Sequence, residues 1–222
     1  MSAQRSENRT MGTPAEAGRP KGRERRSRIL DVAEASILAK GFDATSIEEI
    51  VAGAQITRSG FFYHFPDKNA LARALIERYI EQDRVLLDRI FARAAELSDD
   101  PLQSFLVALK LFAEMMDDLP HGHPGCIVAS VTYQDRLFDA EVRELNRQAV
   151  LSWRRLFLAH LERVAANYPP RAPVDLAALA DMISTVVEGG IVVSRALGEP
   201  AVLGQHLLLQ RSFIKLLFTP AS

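Results

Sequence analysis

A chain of 222 residues, 48% of them hydrophobic, can bury a substantial core and could hold one large domain or two small ones. Its formal net charge of −1 speaks against a polyanion partner only as an average: residues 1–78 carry 13 Lys/Arg against 10 Asp/Glu, the remainder 14 against 18, and residues 1–28 alone 8 against 3, a basic front on an acidic back. A single cysteine, Cys126, excludes an intrachain disulfide. No apolar run is expected to reach membrane-spanning length and the basic N-terminus has no apolar segment behind it before Ile29, so the expectation is a soluble, cytoplasmic protein with no membrane partner.

In chain order, residues 1–22 are polar with few apolar anchors and are expected to form a disordered arm, ending in the basic run Arg19–Arg28. From Ser27 the pattern turns helical: Ile29, Ala33 and Ile37 recur at four-residue spacing, Leu30 and Leu38 widen the stripe, and Gly41 fits a C-cap with Phe42 folding back. Thr45 with Glu48 predicts a capping box, and Ile47, Ile50 and Val51 give the short helix after it an inward face. Gly53 interrupts, and Thr57 caps a third helix; a turn of four residues, Gly53–Ile56, between two short helices is the spacing of a helix-turn-helix. Asp67–Lys68 open a long helical pattern to Leu97, followed by patterns over roughly 102–118, 125–135, 139–167, 174–197 and 201–218. No sustained alternation of period two occurs, which predicts an all-α fold with a three-helix head over 23–68 and a helical body over 69–222.

The stretch TRSGFFYHFPDK, Thr57–Lys68, carries the functional signal. In a helix-turn-helix the second helix enters the major groove. Here its outward N-terminal residues are Thr57, Arg58 and Ser59, donors suited to base edges or phosphates, and Gly60 permits close approach. Phe61 and Phe65, four apart, are expected to pack inward, while Tyr63 and His64 can each donate to a phosphate oxygen. Lys68, at a helix start, could hold a phosphate together with exposed backbone N–H groups. The bland alternative makes Tyr63 and His64 a satisfied pair in the head's core.

Ser27–Ile76 resembles the TetR family of transcriptional regulators. The matching residues are Ile29, Leu30, Ala33, Gly41, Phe42, Thr45, Ile50, Ala54, Tyr63, His64, Phe65, Lys68 and Leu71. The resemblance implies that Thr45, Thr57, Arg58, Tyr63, His64 and Lys68 contact operator DNA, mostly its phosphates. The chain departs from the commonest pattern at Ser59–Gly60, where the order is inverted, and at Phe62, where a Tyr is common. The resemblance also implies a helical body that binds a small effector and forms a homodimer through its last two helices, and repression as the common mode of action.

Both of those last segments are apolar over more than one stripe, a surplus that a second subunit could cover. Val186, Gly189, Gly190, Val193, Leu207, Phe213 and Ile214 are the expected dimer contacts, and a near-palindromic double-stranded operator would match the two-fold symmetry. Phe105, Leu109, Phe112, Met115, Met116, Trp153 and Phe157 are the candidates for contact with a small apolar or amphipathic effector. HGHPGC, His121–Cys126, lacks the second Cys or distant His pair of a zinc site, so no metal and no cofactor are expected; Cys126 reads as a buried small residue, with a redox sensor as the sharper alternative. No nucleophile–base pair, carboxylate set or phosphate loop suggests an enzyme. The competing class is a ligand-binding helical protein, or an enzyme, that does not act on DNA.

Overall fold

The computed structural model describes residues 14–219, with side chains from Lys21 onward. These residues form α1 (Pro14–Lys40), α2 (Ile47–Gly53), α3 (Arg58–His64), α4 (Lys68–Leu97), α5 (Pro101–Asp117), α6 (Ile127–Tyr133), α7 (Ala140–Asn167), α8 (Leu176–Leu197) and α9 (Val202–Phe218), with one 3₁₀ turn at Asp135–Leu137 and no strand among them. The fold is all-α, as expected.

Most helix starts have an explicit chemical cause. The side chains of Thr57, Asp67, Asp100 and Asp139 accept from the backbone N–H groups of Gly60, Ala70, Gln103 and Val142 at 2.7–3.1 Å, satisfying donors that the first helical turn leaves orphaned. The expected cap at Thr45 is displaced by one residue: Ser46 caps α2, accepting from Glu49 N–H at 3.1 Å. Thr45 instead donates to Gly41 O at 2.8 Å, and Glu49 turns to Lys40 and Ser36 rather than completing a box. Gly41 ends α1 at φ +89°, as a C-cap glycine should. The expected arm is helical from Pro14; its earlier residues lie outside those described.

Two large apolar clusters organise the chain. In the first, Ile29, Leu30, Ala33 and Ile37 of α1 meet Ile50, Phe61 and Phe65 of the head, and the cluster continues through Leu71–Ile76 of α4 into Ile127, Val128 and Val131 of α6. The second lies farther along α4, where Leu87, Ile90 and Phe91 pack with Phe105, Leu109, Phe157, Ile183 and Ile214. Helix α4 thus belongs to head and body alike, and α6 sits under the head. Polar contacts reinforce that junction. Gln134, at the end of α6, accepts from Phe42 N–H at 2.8 Å and donates to Asp43 at 2.6 Å, and Arg78 of α4 pairs with Asp31 and Glu34 of α1.

Helix α8 corrects one expectation. At 22 residues it is long and apolar enough to cross a membrane, although it is packed here on α7 and α9. Its Gly190 is an internal contact rather than a dimer contact: a Cβ there would stand 2.7 Å from Leu203 Cδ1 and 3.3 Å from Leu203 Cα, so the glycine sets how closely α8 and α9 cross. Gly190→Val should therefore lower stability by about 1–3 kcal/mol through overpacking, read as a fall in the urea midpoint. An unchanged midpoint would mean that the crossing is loose. Leu207 and Ile214 are likewise fully buried within the subunit, because α9 turns one apolar stripe toward α5 and a different one outward.

Candidate nucleic-acid interface and ligand cavity

Helix α3 is two turns long and is held from one side. Phe61 and Phe65 are buried, their rings 5.9 Å apart, against the α1 stripe and Ile50. That anchoring forces Arg58, Ser59, Phe62 and Tyr63 to face solvent. Tyr63 is 84% exposed, which rules out its reading as a core residue; its ring meets His64 edge-on at 5.1 Å. The Arg58 guanidinium lies over the Phe62 ring at 5.7 Å and pairs with Glu48 at 2.9 Å, an exposed pair that holds little free energy and is easily exchanged for another anion. Thr57 and Ser59 hydroxyls stand 3.1 Å apart at the start of the helix.

The turn before α3 is tighter than its glycine suggests. Gly53 lies inside α2, where a Cβ would come within 2.7 Å of Val32 Cγ1; the left-handed residue is Gln55, at φ 54°. A Cβ on Gly60 would lie 3.2 Å from Thr57 Oγ1, so this glycine also leaves room for the capping hydroxyl. Beside α3, Lys21, Arg23, Arg25, Arg26 and Arg28 are all exposed on α1, and the Arg26 guanidinium lies 5.2 Å from the Phe65 ring centre. Partial burial, followed by the charges of Arg26 and Arg25, holds the His64 imidazole below its ordinary pKa.

Two expected DNA contacts sit differently from the rest. Thr45 is only 2% exposed, its hydroxyl engaged with Gly41 O and Ser36. Lys68 donates to Thr45 O at 2.7 Å and Phe42 O at 3.2 Å, fastening the start of α4 to the α1–α2 loop. Thr45 is thereby an internal strut, whereas half-buried Lys68 ties the loop's carbonyls to the start of α4. Exposed Ser46 takes the outward place beside Thr45.

The body holds an open-sided cavity of about 740 Å³ among α4, α5, α6, α7 and α8. Of the seven effector candidates, Phe112, Met116, Trp153 and Phe157 line it. Phe105 and Leu109 do not: they are buried in the second cluster, where Phe105 stacks on Phe91 at 6.0 Å, and Met115 packs beside that cluster. The sequence reading missed the cavity's polar members. Asp83 accepts from the Trp153 indole N–H at 3.1 Å, and burial pushes its carboxyl up to about 6. Glu188 is raised too, chiefly by burial. Cys126 lines the cavity with Tyr79 and Glu188, and burial pushes its thiol up to about 11, the opposite of an activated thiolate. Glu188 had left a sequence signal, as the one charge between Asp181 and Arg195 of an apolar helix; Asp83, in a polar stretch, had none.

On the outer surface, Val192, Val193 and Leu197 of α8 and Leu208, Leu209, Phe213 and Leu216 of α9 are exposed. Val193 and Phe213 match the expected dimer contacts, with Gly189 also exposed and Val186 half-buried. Val192, Val193 and Gly189 line the cavity as well, so its rim is continuous with this apolar face.

Residues 29–75 match the family described as "Bacterial regulatory proteins, tetR family". Among curated relatives, the HTH-type transcriptional regulator EthR of Mycolicibacterium smegmatis is 30% identical over 97 residues, 43% of each chain. The HTH-type transcriptional repressor KstR2 of Mycobacterium tuberculosis is 27% identical over 111 residues, 50% of each. The chain thus spans about half the length of these curated relatives. Likeness of fold runs farther: a TetR-family regulator from Agrobacterium tumefaciens superposes with a TM-score of 0.73 at 21% identity, covering 89% of this chain and all of that one. Residues 29–75 thus match the DNA-binding head of the tetR family of bacterial regulatory proteins, and the described residues as a whole share the fold of solved proteins of that kind.

Proposed function

We propose that the chain is a transcriptional repressor that binds a near-palindromic operator as a homodimer and releases it when a small molecule fills the body's cavity. The observation that carries this reading is the exposed face of α3, where Arg58, Ser59 and Tyr63 project from a helix anchored by buried Phe61 and Phe65. Thr57, Arg58 and Ser59 face the major groove; Tyr63 and His64 meet phosphates, helped by the basic side chains of α1. Gly60 keeps the backbone near the duplex, and Lys68 and Thr45 act by holding the head in shape. The repressor's name borne by one relative supports the direction of regulation. A DNA partner also places the protein in the cytoplasm, and regulation rather than catalysis is its role.

Helix α6 is the proposed coupling element. Val128, Ala129, Thr132 and Tyr133 line the cavity, while Gln134 at its end grips Phe42 and Asp43 of the head. A ligand that displaces α6 therefore moves the head, provided it binds the displaced arrangement more tightly.

The test is a binding titration on the duplex found upstream of this chain's own reading frame, against a scrambled duplex, between about 50 and 200 mM salt. Log K for the first should fall steeply with log salt, reflecting released counterions, and should exceed that for the scrambled duplex. Tyr63→Ala should lose about 1 kcal/mol at each half-site, about 30-fold in Kd for the dimer, on both duplexes, since phosphates carry no sequence. Salt-insensitive binding, or equal affinity for both duplexes, would defeat the reading.

A further inference from the structure

Taking the cavity as the effector site proposed above, the geometry points to an organic cation as its ligand: one or two alkylammonium or protonated amine centres on an aromatic or alkyl body, held between Asp83 of α4 and Glu188 of α8. Both carboxylates line the cavity, and neither has a basic partner among the described residues. The other candidate for countercharge within the cavity is already committed, because Arg154 holds Asp181 with two bonds of 2.6 and 2.7 Å. His123 does not supply it either: its Nδ1 accepts from Gly125 N–H at 3.2 Å, and burial together with Arg195 disfavours its protonated form. Two carboxylates are therefore drawn into a largely apolar cavity with no cation among the described residues left to pair with them, an arrangement that costs free energy unless a ligand completes it.

The surrounding walls suit such a ligand. Tyr79, Phe112, Trp153 and Phe157 contribute aromatic rings to the same cavity, and ring faces attract cations most strongly where water is excluded. A volume of about 740 Å³ accommodates a molecule with a sizeable apolar body as well as its charge. An anionic ligand would meet two like charges, and a neutral one would leave both carboxylates uncompensated.

Trp153 is the chain's one tryptophan and its indole N–H donates to Asp83, so its fluorescence reports on this place directly. Three probes of similar shape separate the outcomes: phenethyltrimethylammonium, its uncharged carbon isostere, and 4-phenylbutyrate. At pH 7.5 the cation should bind at least about tenfold more tightly than the isostere, and the carboxylate more weakly than either. Asp83→Asn and Glu188→Gln should each cost the cation about tenfold and the isostere less than about threefold. Lowering the pH to about 5 should cut the preference by about as much as Asp83→Asn does, as Asp83 takes up a proton. An isostere that binds as tightly as the cation, or a preference for the carboxylate, would overturn the ligand class and leave the effector cavity standing. Silence of all three probes, in fluorescence and in thermal shift, would overturn the cavity reading together with the ligand class.

Discussion

Leu209→Glu should convert the protein from dimer to monomer at micromolar concentration without unfolding it. Leu209 is 70% exposed in the subunit and stands on the outward stripe of α9 with Phe213 and Leu216, beside Val192 and Val193 of α8. In a two-fold interface each substitution occurs twice. Placing an unpaired carboxylate in each copy at about 2 kcal/mol apiece raises the dissociation constant by about a thousandfold. Leu207, two residues earlier, is the control, since it is fully buried against the subunit's own helices. Leu207→Glu should cost about 3 kcal/mol or more of folding stability, as an uncompensated charge in a core does. Sedimentation velocity and far-UV circular dichroism read the two effects separately. A monomeric wild type, or a Leu209→Glu variant that sediments as a dimer, would remove the proposed interface. Operator affinity should fall when the dimer is lost, since a lone head lacks the effective concentration that its tethered partner provides.

The contrast between Leu207 and Leu209 also shows where the sequence stops being informative. Helix boundaries in the body were legible because Pro101, Asp100, Asp139 and Gly198 punctuate them chemically. The head was legible in more detail, because Phe61 and Phe65 at a spacing of four can share one face and leave Tyr63 the other. Helix α9 offers no such guide: it is apolar on two sides, and its pattern does not say which side faces α5 and which faces solvent. The register of the α2 cap was ambiguous for a different reason. Thr45 and Ser46 are adjacent, each with a Glu three residues on, and only the folded loop decides which hydroxyl points at the helix. Lys68 shows the same limit, since a cation at a helix start is equally suited to a phosphate or to nearby carbonyls until their positions are fixed. The cavity drew on five elements far apart in sequence, and Asp83 joined it through tertiary packing alone.

Asp83→Asn should make the ligand-free protein more stable at neutral pH, by about 1–3 kcal/mol. The carboxyl of Asp83 is raised from 3.8 to about 6 mainly by burial, with the Trp153 hydrogen bond acting in the opposite direction. A tenfold change in proton affinity corresponds to about 1.4 kcal/mol, and the lower part of the range allows for the solvent that still reaches this half-buried group. The groups around it are Tyr79 on its own helix, His123 and Cys126 before α6, Trp153 and Arg154 on α7, and Glu188 on α8, with Arg154 paired to Asp181. The sign follows from proton binding. Between about pH 4 and 6 the folded state keeps a proton on Asp83 that the unfolded chain has released, so stability associated with this group falls as pH rises through that window. Asparagine keeps an oxygen for the Trp153 N–H and carries no charge to desolvate. The gain should therefore be near zero at pH 4, grow toward pH 6 and level off above about 7, with a rise in Tm of about 3–8 °C on the plateau. Taking the difference between variant and wild type cancels other titrating groups, His160 among them, whose burial holds it down to about 4. A variant less stable than wild type, or equally stabilised at pH 4 and pH 8, would show that the Asp83 carboxylate is structurally compensated. Stabilisation of the empty protein together with loss of cation affinity is the opposite pairing: an ionised group that costs the fold free energy and returns it only when a cation is bound.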